Sequence, residues 1–197
     1  MIENVVFDLG NVLFKFNGME VVKIFNNGKE NKHLQDVIFN AWPRRDSGEL
    51  SDPQFLKLIK PELSKEEYIV AKKIICGWID ILEYDQKVLD TIKKLKEKNI
   101  KIYAISNIPL DFAKRFKTID EFKDFDGAIF SSKELLMKPD IRIFELAIKK
   151  FKINPNNSIY IDDKQENVNS ACLCGFKGIV FENNIDEIYE SIQKYEK

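Results

Sequence analysis

The sequence predicts an α/β protein: a doubly wound parallel sheet with a helical cap inserted after the first strand. Short apolar runs alternate with amphipathic helical patterns through most of the chain. Polar residues directly follow several of these runs, and one long segment near the N-terminus shows helical patterns only. Runs that are apolar at every position are typical of strands buried on both faces, as in parallel sheets.

Five apolar runs mark the expected strands, and helical patterns lie between and after them. The runs are Val5–Leu9, Ile100–Ile105, Ala128–Phe130, Ser158–Ile161 and Gly178–Phe181. The helical patterns are Gln86–Lys98, Asp140–Lys150 with Asp140 as N-cap, Asn167–Cys174 and Asp186–Lys194. This alternation indicates a doubly wound sheet.

Residues 15–84 do not fit the alternation and are predicted to form the cap. Their amphipathic patterns are Met19–Phe25, Leu34–Asn40, Pro53–Ile59 and Lys65–Trp78. We therefore expect a catalytic core made of residues 1–14 and 85–197. The hinges between cap and core are predicted at Asn17-Gly18 and Glu83–Asp85.

The composition favours a cytoplasmic protein with a small-molecule partner. The chain has 197 residues and 44% hydrophobic content, which suffices for a packed core. Its 31 basic and 32 acidic residues nearly cancel, which argues against nucleic-acid or membrane-surface binding. Three cysteines without a paired spacing suggest neither a disulfide framework nor a zinc site. No secretory leader and no apolar run of roughly 20 residues is apparent.

Polar residues at the ends of the predicted strands point to one site. In open α/β sheets ligands bind beyond the carboxyl ends of the strands, where the strand order reverses. If the order is 3-2-1-4-5, one edge collects the residues that follow the first four strands: Asp8, Gly10, Asn11, Ser106, Asn107, Lys138, Asp162 and Asp163.

The chemistry of this set suits a phosphoryl group and a magnesium ion. Three carboxylates at one edge repel each other unless a counter-charge is present, and Mg²⁺ prefers one or two carboxylates plus phosphate and water. Lys138 adds positive charge, while Ser106 and Asn107 add neutral donors. Together these groups can neutralise a phosphoryl group during in-line attack.

Four segments together resemble the motifs of the haloacid dehalogenase-like superfamily. They are Phe7–Leu13, Ser106-Asn107, Lys138-Pro139 and Asp162-Asp163, in matching order and strand placement from residue 2 to about residue 182. The helical insertion is similar to the cap of that superfamily's sugar-phosphatase branch. Its Asp-Leu-Gly-Asn-Val sequence resembles a group that includes hexose-1-phosphate phosphatases.

The resemblance implies a role for each matching residue. Asp8 corresponds to the nucleophile that forms an aspartyl phosphate, and Lys138 would neutralise both this carboxylate and the phosphate. The Gly10 carbonyl and Asp163 would join Asp8 as Mg²⁺ ligands, with Asp162 helping through water or hydrogen bonding. The phosphoryl oxygens would contact Ser106 and the Asn107 backbone, with Asn11 nearby, and Asn167 would orient the lysine or metal-bound water.

Position 10 departs from the superfamily pattern. Its phosphatases usually carry a second aspartate two residues after the nucleophile, as general acid and base, and this sequence has Gly10. A lost general acid costs about 10²–10⁴-fold in rate. Three explanations stay open: a good leaving group such as an anomeric phosphate, a proton donor elsewhere in the chain, for example in the cap, or phosphate binding with little turnover.

The cap segment Trp42–Glu49 is a second region with two interpretations. It combines an aromatic residue, two of the chain's four arginines and turn-forming residues. One interpretation is a substrate loop in which Arg45 contacts phosphate or sugar hydroxyls. The other is an exposed turn between helices. Gly48 slightly favours the loop because it permits close approach.

The predicted function is Mg²⁺-dependent hydrolysis of a small phosphomonoester, most simply a sugar phosphate, by a monomer or weak dimer. A metal-independent haloacid dehalogenase is one alternative. The Asp162-Asp163 pair argues against it, because further carboxylates have no purpose in attack on carbon. A catalytically impaired protein that binds phosphate compounds is the other alternative, and Gly10 motivates it.

Overall fold

The fold is built on a parallel five-stranded sheet in the order β3-β2-β1-β4-β5. The computed structural model describes residues 1–194, apart from the side chains at positions 187, 191, 193 and 194. The strands are β1 (Asn4–Phe7), β2 (Lys101–Ser106), β3 (Gly127–Phe130), β4 (Ser158–Asp162) and β5 (Lys177–Val180). The predicted fold class and strand order are confirmed.

Eleven α-helices are found among the described residues. They are α1 (Gly18–Phe25), α2 (Lys32–Ala41), α3 (Pro43–Asp46), α4 (Asp52–Ile59), α5 (Lys65–Gly77), α6 (Gln86–Glu97), α7 (Leu110–Arg115), α8 (Ser131–Glu134), α9 (Ile141–Phe151), α10 (Gln165–Leu173) and α11 (Ile185–Lys194). Short 3₁₀ segments are Lys60–Glu62, Trp78–Ile81, Phe116–Thr118, Asp120–Phe122 and Pro155–Asn157.

Helices cover both faces of the sheet because its central strands are apolar on both faces. Along β1, Val5 and Phe7 contribute to one hydrophobic cluster and Val6 to the other. The first cluster includes Val88 of α6, and the second includes Phe144 of α9. Burying successive side chains on opposite faces fixes the central position of β1.

The insertion between β1 and α6 is helical throughout. Residues 18–81 contain α1–α5 and two 3₁₀ segments, and no strand. The start of α5 shows how the local sequence sets a boundary: Ser64 Oγ accepts the Glu67 amide, and the Glu67 carboxylate accepts the Ser64 amide. Trp78 packs at the base of the insertion and stacks on Phe112 of α7, with 5.9 Å between ring centroids.

The two chain segments that join the insertion to the sheet run side by side. Phe14 and Tyr84 form an isolated antiparallel bridge, and the Asp85 amide donates to the Leu13 carbonyl at 2.7 Å. Both segments therefore leave the sheet at one place. The boundaries predicted for the cap remain a prediction, because a single hydrophobic cluster runs through insertion and sheet.

Three short helices were not predicted. The helices α3, α7 and α8 have only four to six residues each. A period of 3.6 residues cannot be recognised over so short a length.

None of the helices in residues 1–194 combines the length and the apolar character that crossing a membrane requires.

Candidate active site

Five charged or hydroxyl side chains from separate parts of the chain meet beyond the carboxyl edge of the sheet. Asp8 directly follows β1, and Ser106 and Asp162 are the last residues of β2 and β4. Asp163 comes next, and Lys138 lies in the loop between α8 and α9. Because β1 lies between β2 and β4, Asp8 is flanked by residues from both neighbours.

Three donors converge on one oxygen of Asp8. Its Oδ1 accepts from the Leu9 amide at 2.7 Å, from Ser106 Oγ at 2.8 Å and from Lys138 Nζ at 2.9 Å. Among the described residues no donor reaches Oδ2. The side chain is buried, with 8% of its residue surface exposed, so these bonds hold the carboxylate in one orientation.

Lys138 is a buried cation shared by two carboxylates. Its Nζ lies 2.9 Å from Asp8 Oδ1 and 2.7 Å from Asp162 Oδ2, and its side chain is only 1% exposed. The Asn107 side chain fixes the lysine backbone, accepting from the Lys138 amide and donating to the Lys138 carbonyl, both at 2.9 Å. The predicted substrate residue Asn107 therefore uses its amide group to position the lysine.

Asp162 is completely buried, and both of its oxygens are hydrogen bonded. Besides Lys138, its donors are Tyr160 Oη at 2.5 Å, Asn167 Nδ2 at 2.9 and 3.0 Å, and the Lys164 amide at 2.9 Å. These bonds tie the carboxylate to the protein. Asn167 thus contacts the lysine only through Asp162, and its orienting role stays a prediction.

Asp163 is the more accessible carboxylate of the adjacent pair. Its Oδ2 accepts from Asn11 Nδ2 at 3.2 Å, while Asn11 Oδ1 accepts the Phe16 amide at 3.1 Å. Asn11 has a φ of 57°, a left-handed conformation that asparagine tolerates better than most residues. The predicted substrate residue Asn11 therefore lies in the cleft, but its side chain orients Asp163 and the following loop.

The balance of charge at this edge suits a divalent cation. One oxygen from each of Asp8, Asp162 and Asp163 lies within 4.8 Å of the others, and Lys138 supplies the positive charge between the first two. Three carboxylates against one ammonium leave a negative excess in a largely buried site. Asp162 is already bonded on both oxygens, so Asp8 and Asp163 are the carboxylates that fit a hard cation such as Mg²⁺.

The pKa values at the site follow from burial and from this shared charge. Burial raises the pKa of Asp8 to about 6, and the charge of Asp162 adds to the effect, while Lys138 opposes it. Burial also disfavours the charged form of Lys138, but the two carboxylates outweigh it and raise its pKa. For Asp162, burial is outweighed by Lys138 and the hydrogen bonds, and the pKa is lowered. Burial raises the pKa of Asp163.

A cleft of about 240 Å³ lies over these groups, between sheet edge and cap. One part of its lining is polar and includes Asp8, Lys138 and Asp163. The cap contributes Asp46, and Lys164 lies on the core side. The apolar part of the lining consists of Phe14, Phe16, Trp42, Pro43, Trp78, Ile108, Pro109 and Met137.

Arg45 does not line this cleft. Its side chain has no exposed surface, and its Nη2 pairs with Asp52 Oδ1 at 2.7 Å and with Asp111 Oδ2 at 3.2 Å. The guanidinium also stacks over Trp42, 4.4 Å from the ring centroid. The predicted contact between Arg45 and substrate thus has no support in the geometry. The reason is physical: two nearby carboxylates and an aromatic ring hold the guanidinium inside the protein.

The segment around Arg45 forms a helical turn rather than an open loop. It contains α3, and Gly48 follows with a φ of 75°. A Cβ built at Gly48 would lie 2.4 Å from the Ser132 carbonyl oxygen, so the predicted close approach exists. It is made to the core, not to a substrate.

The family model for haloacid dehalogenase-like hydrolases matches residues 2–171. The chain belongs to this family. The resemblance of the four motifs is thereby confirmed, and the residues that carry it are the ones assembled at the sheet edge.

Relatives of this hydrolase include phosphatases. It is 26% identical over 178 residues to a sesquiterpene phosphatase from Aspergillus oryzae, covering 88% of this chain and 87% of the relative. It is 28% identical over 205 residues to a D-ribitol-5-phosphate phosphatase from Bacteroides thetaiotaomicron, covering 94% and 95%. Its fold also matches a HAD family enzyme from B. thetaiotaomicron solved with magnesium and inorganic phosphate: TM-score 0.74, 20% identity, 95% and 99% coverage.

Two residues at the site were not foreseen. Tyr160 lies within β4, where an aromatic residue in an apolar run looks like core, yet its hydroxyl donates to Asp162. Asp46 lies in the cap and reaches the cleft only because α3 docks near the sheet edge. The Tyr160–Asp162 spacing of two residues on one strand puts both side chains on the same face, which is a signal that the sequence did contain.

Proposed function

We propose that this hydrolase is an Mg²⁺-dependent phosphatase that transfers the phosphoryl group of a small phosphomonoester, such as a sugar phosphate, to Asp8. The observation that carries the proposal is the buried Lys138 ammonium held between Asp8 and Asp162, with Asp163 beside them. A carboxylate so held is suited to attack on phosphorus, and the site has positive charge ready for the phosphoryl oxygens.

Each residue of the site has a separate role in the first step, the transfer of the phosphoryl group to Asp8. Asp8 attacks phosphorus, and Lys138 offsets charge on both the nucleophile and the phosphoryl oxygens. The Asn107 backbone is available as a neutral donor at the end of β2, and Ser106 Oγ, which donates to Asp8 in the free protein, would turn its hydrogen to a phosphoryl oxygen. Asp8, Asp163 and the Gly10 carbonyl would hold Mg²⁺, and Asp162 would support it through its hydrogen bonds. The bound ion would neutralise phosphoryl charge and orient the substrate.

The volume of the cleft and the relatives of the protein both support a small substrate. A cleft of about 240 Å³ lies below the roughly 300–1,000 Å³ that is usual for drug-sized ligands. One relative acts on ribitol 5-phosphate by name, which supports a sugar-phosphate substrate. We further propose that the protein acts in the cytoplasm as a monomer or weak dimer.

The apolar lining favours a second candidate substrate class. Aromatic surface lies beside the polar groups of the cleft and comes from Phe14, Phe16, Trp42 and Trp78. Such surface can stack on the apolar faces of a sugar, but it also suits a hydrocarbon leaving group. The sesquiterpene phosphatase relative points in the same direction. Terpenyl monophosphates therefore belong in any substrate screen.

The test is a panel of sugar phosphates, terpenyl phosphates and p-nitrophenyl phosphate, assayed with Mg²⁺ and with chelator. We expect phosphate release that needs the metal and that falls by at least about 10³-fold in Asp8→Asn, because the nucleophile is lost. Asp90→Asn, an exposed aspartate of α6, is the matched control and should retain activity.

Other outcomes would contradict the proposal in distinct ways. Activity that persists in chelator would exclude the metal role, and halide release from haloacids without metal would indicate a dehalogenase. Specific binding of phosphate esters without any turnover would indicate the impaired binding protein that Gly10 suggests.

A further inference from the structure

The proposed reaction lacks an obvious proton donor for the leaving group. Position 10, where related phosphatases carry an aspartate, is Gly10, and a Cβ built there meets no atom within 4 Å. The space beside Asp8 is therefore open to a group from elsewhere. Proton transfer by a positioned side chain contributes about 10²–10⁴-fold, so a replacement donor has a large effect on poor leaving groups.

Asp46 is a carboxylate of the cap that lines the same cleft as this space. It is the last residue of α3 and lines the same cleft as Asp8, Gly10 and Lys138. Its Oδ1 is buried, and no hydrogen bond reaches it from the part of the chain that the structure describes. A buried carboxylate oxygen without a partner is costly, and such groups are retained where they have a function.

The backbone of Asp46 is anchored to the core although the residue belongs to the cap. Ser131, the first residue of α8, donates a hydrogen bond from Oγ to the Asp46 carbonyl. Two residues on, Gly48 packs against the Ser132 carbonyl so closely that no side chain fits. On the other side, Arg45 is paired with Asp111 of α7. These contacts fix the backbone from which the Asp46 side chain lines the cleft.

The surroundings of Asp46 favour its protonated form near neutral pH. Burial is the main cause and raises the pKa of Asp46 to about 8. The positive charges of Arg45 and Lys164 oppose this, and the negative charges of Asp111 and Asp8 reinforce it. A carboxyl group with such a pKa can both give and accept a proton at physiological pH.

We propose that Asp46 is the general acid and base of this hydrolase, in the place of an aspartate at position 10. This inference rests on the proposed phosphatase function. In the first step an Asp8 oxygen bonds to phosphorus and the P–O ester bond breaks. Its electron pair stays on the ester oxygen, which takes the proton of the Asp46 carboxyl group and leaves as the alcohol.

The second step regenerates the Asp8 carboxylate and the protonated Asp46 carboxyl group. A water oxygen bonds to phosphorus while the bond between phosphorus and Asp8 breaks, and its electron pair returns to Asp8. The Asp46 carboxylate takes a proton from this water, so inorganic phosphate leaves and the Asp46 carboxyl group is regenerated. Asp46 thus acts as acid in the first step and base in the second.

The test compares leaving groups in Asp46→Asn. With an alkyl or sugar phosphate, whose alkoxide needs protonation, kcat/KM should fall by about 10²–10⁴-fold. With p-nitrophenyl phosphate, whose phenolate leaves unaided, the first turnover should change by less than about tenfold. Hydrolysis of the aspartyl phosphate should then be slow, so nitrophenolate appears in a burst that is stoichiometric with enzyme.

Two further variants make the result specific. Glu49→Gln changes an exposed carboxylate three residues away that pairs with Arg44, and it should leave both substrates unaffected. Adding Gly10→Asp to Asp46→Asn should restore at least about tenfold of the lost alkyl-phosphate activity, because the open space at position 10 accepts the usual acid.

The outcomes separate this inference from the proposed function. An equal loss on both substrates in Asp46→Asn, without a burst, would overturn the role of Asp46 as acid. A leaving-group effect found in Lys164→Met instead would reassign the role to Lys164. Wild-type protein that hydrolyses none of the esters would refute the phosphatase function itself, before Asp46 is tested.

Discussion

Two charge clusters lie next to the cleft, and they differ in how many of their buried polar atoms lack a hydrogen bond. The core cluster consists of Asp8, Lys138 and Asp162, and it joins two carboxylates to one ammonium at 2.7–2.9 Å. The junction cluster is Arg45, Asp46 and Asp111, where cap meets core. Within residues 1–194 it holds three buried atoms without a hydrogen-bond partner: Arg45 Nη1, Asp46 Oδ1 and Asp111 Oδ1.

The difference indicates a division between a rigid site and an adjustable one. A polar network in which every buried atom has a hydrogen-bond partner is held in one arrangement, whereas buried atoms without a partner can rearrange or bind a ligand. The nucleophile and its lysine lie in the first kind of cluster. The group that we propose for proton transfer lies in the second, in the part that substrate would enter.

The largest expected effect comes from removing the cation of each cluster in turn. Lys138→Met should lower the free energy of unfolding by about 3–5 kcal/mol, because two buried carboxylates lose their counter-charge. Arg45→Met should cost less, about 2 kcal/mol, since its partners Asp52 and Asp111 are 42% and 20% exposed. Urea unfolding in chelator at pH 7 measures both.

Lys149→Met, at an exposed position on α9, is the control for these unfolding measurements and should change stability by less than about 0.5 kcal/mol. An Arg45 variant as unstable as the Lys138 variant would remove the distinction between the two clusters.

A smaller loss of stability is expected when the close approach between Gly48 and Ser132 is prevented. Gly48→Ala should lower the free energy of unfolding by about 2–3 kcal/mol, because it combines a φ of 75° with a Cβ 2.4 Å from the Ser132 carbonyl oxygen. Gly28→Ala is the matched control: its φ is 79° and its Cβ meets nothing within 4 Å. It should cost only about 1 kcal/mol.

The difference between the two glycine variants isolates the contact between cap and core. Because this contact positions Asp46, Gly48→Ala should also reduce activity on alkyl phosphates more than on p-nitrophenyl phosphate. Equal stability losses in both variants would show that the approach to Ser132 has no energetic role.

The smallest expected change is a gain in stability rather than a loss. Because the folded protein raises the pKa of Asp46 from 3.8 to about 8, it binds this proton more tightly than the unfolded chain does. Stability from this group is therefore present below pH 4 and is lost as the pH rises through 8. Asp46→Asn should have nearly the wild-type Tm at pH 4 and a Tm a few degrees higher at pH 8.

A thermal unfolding series from pH 4 to 8 measures this difference, and subtracting the wild-type curve removes the similar slope that Asp8 contributes. Glu49→Gln serves as control and should run parallel to wild type. A stabilising effect of Asp46→Asn that does not depend on pH would contradict the assigned pKa.

The sheet and its polar edge could be predicted because both follow from local pattern and topology. Strand order 3-2-1-4-5 places the ends of β1, β2 and β4 side by side, so Asp8, Ser106 and Asp162 had to approach one another. The capping role of Asp140 was equally local, and its side chain does accept the Arg142 amide.

The contribution of the cap could not be predicted in the same way. Whether Arg45 faces substrate or protein depends on where Asp52, Asp111 and Trp42 lie, and these positions follow from helix packing rather than from sequence spacing. Asp46 could not be predicted for the same reason. The sequence favours its neighbour Arg45, because arginine commonly binds phosphate, although the carboxylate is the residue that lines the cleft.

One hydroxyl group connects the cap to the segment that follows β2. Ser131 Oγ accepts the Ile108 amide at 3.0 Å and donates to the Asp46 carbonyl. Ile108 directly follows Asn107, whose backbone we assign to the phosphoryl group. The backbone that we assign to the phosphoryl group and the cap residue that we propose as proton donor are therefore held through the same atom. Ser131 thus couples the position of the proposed donor to the position of the phosphate-binding segment.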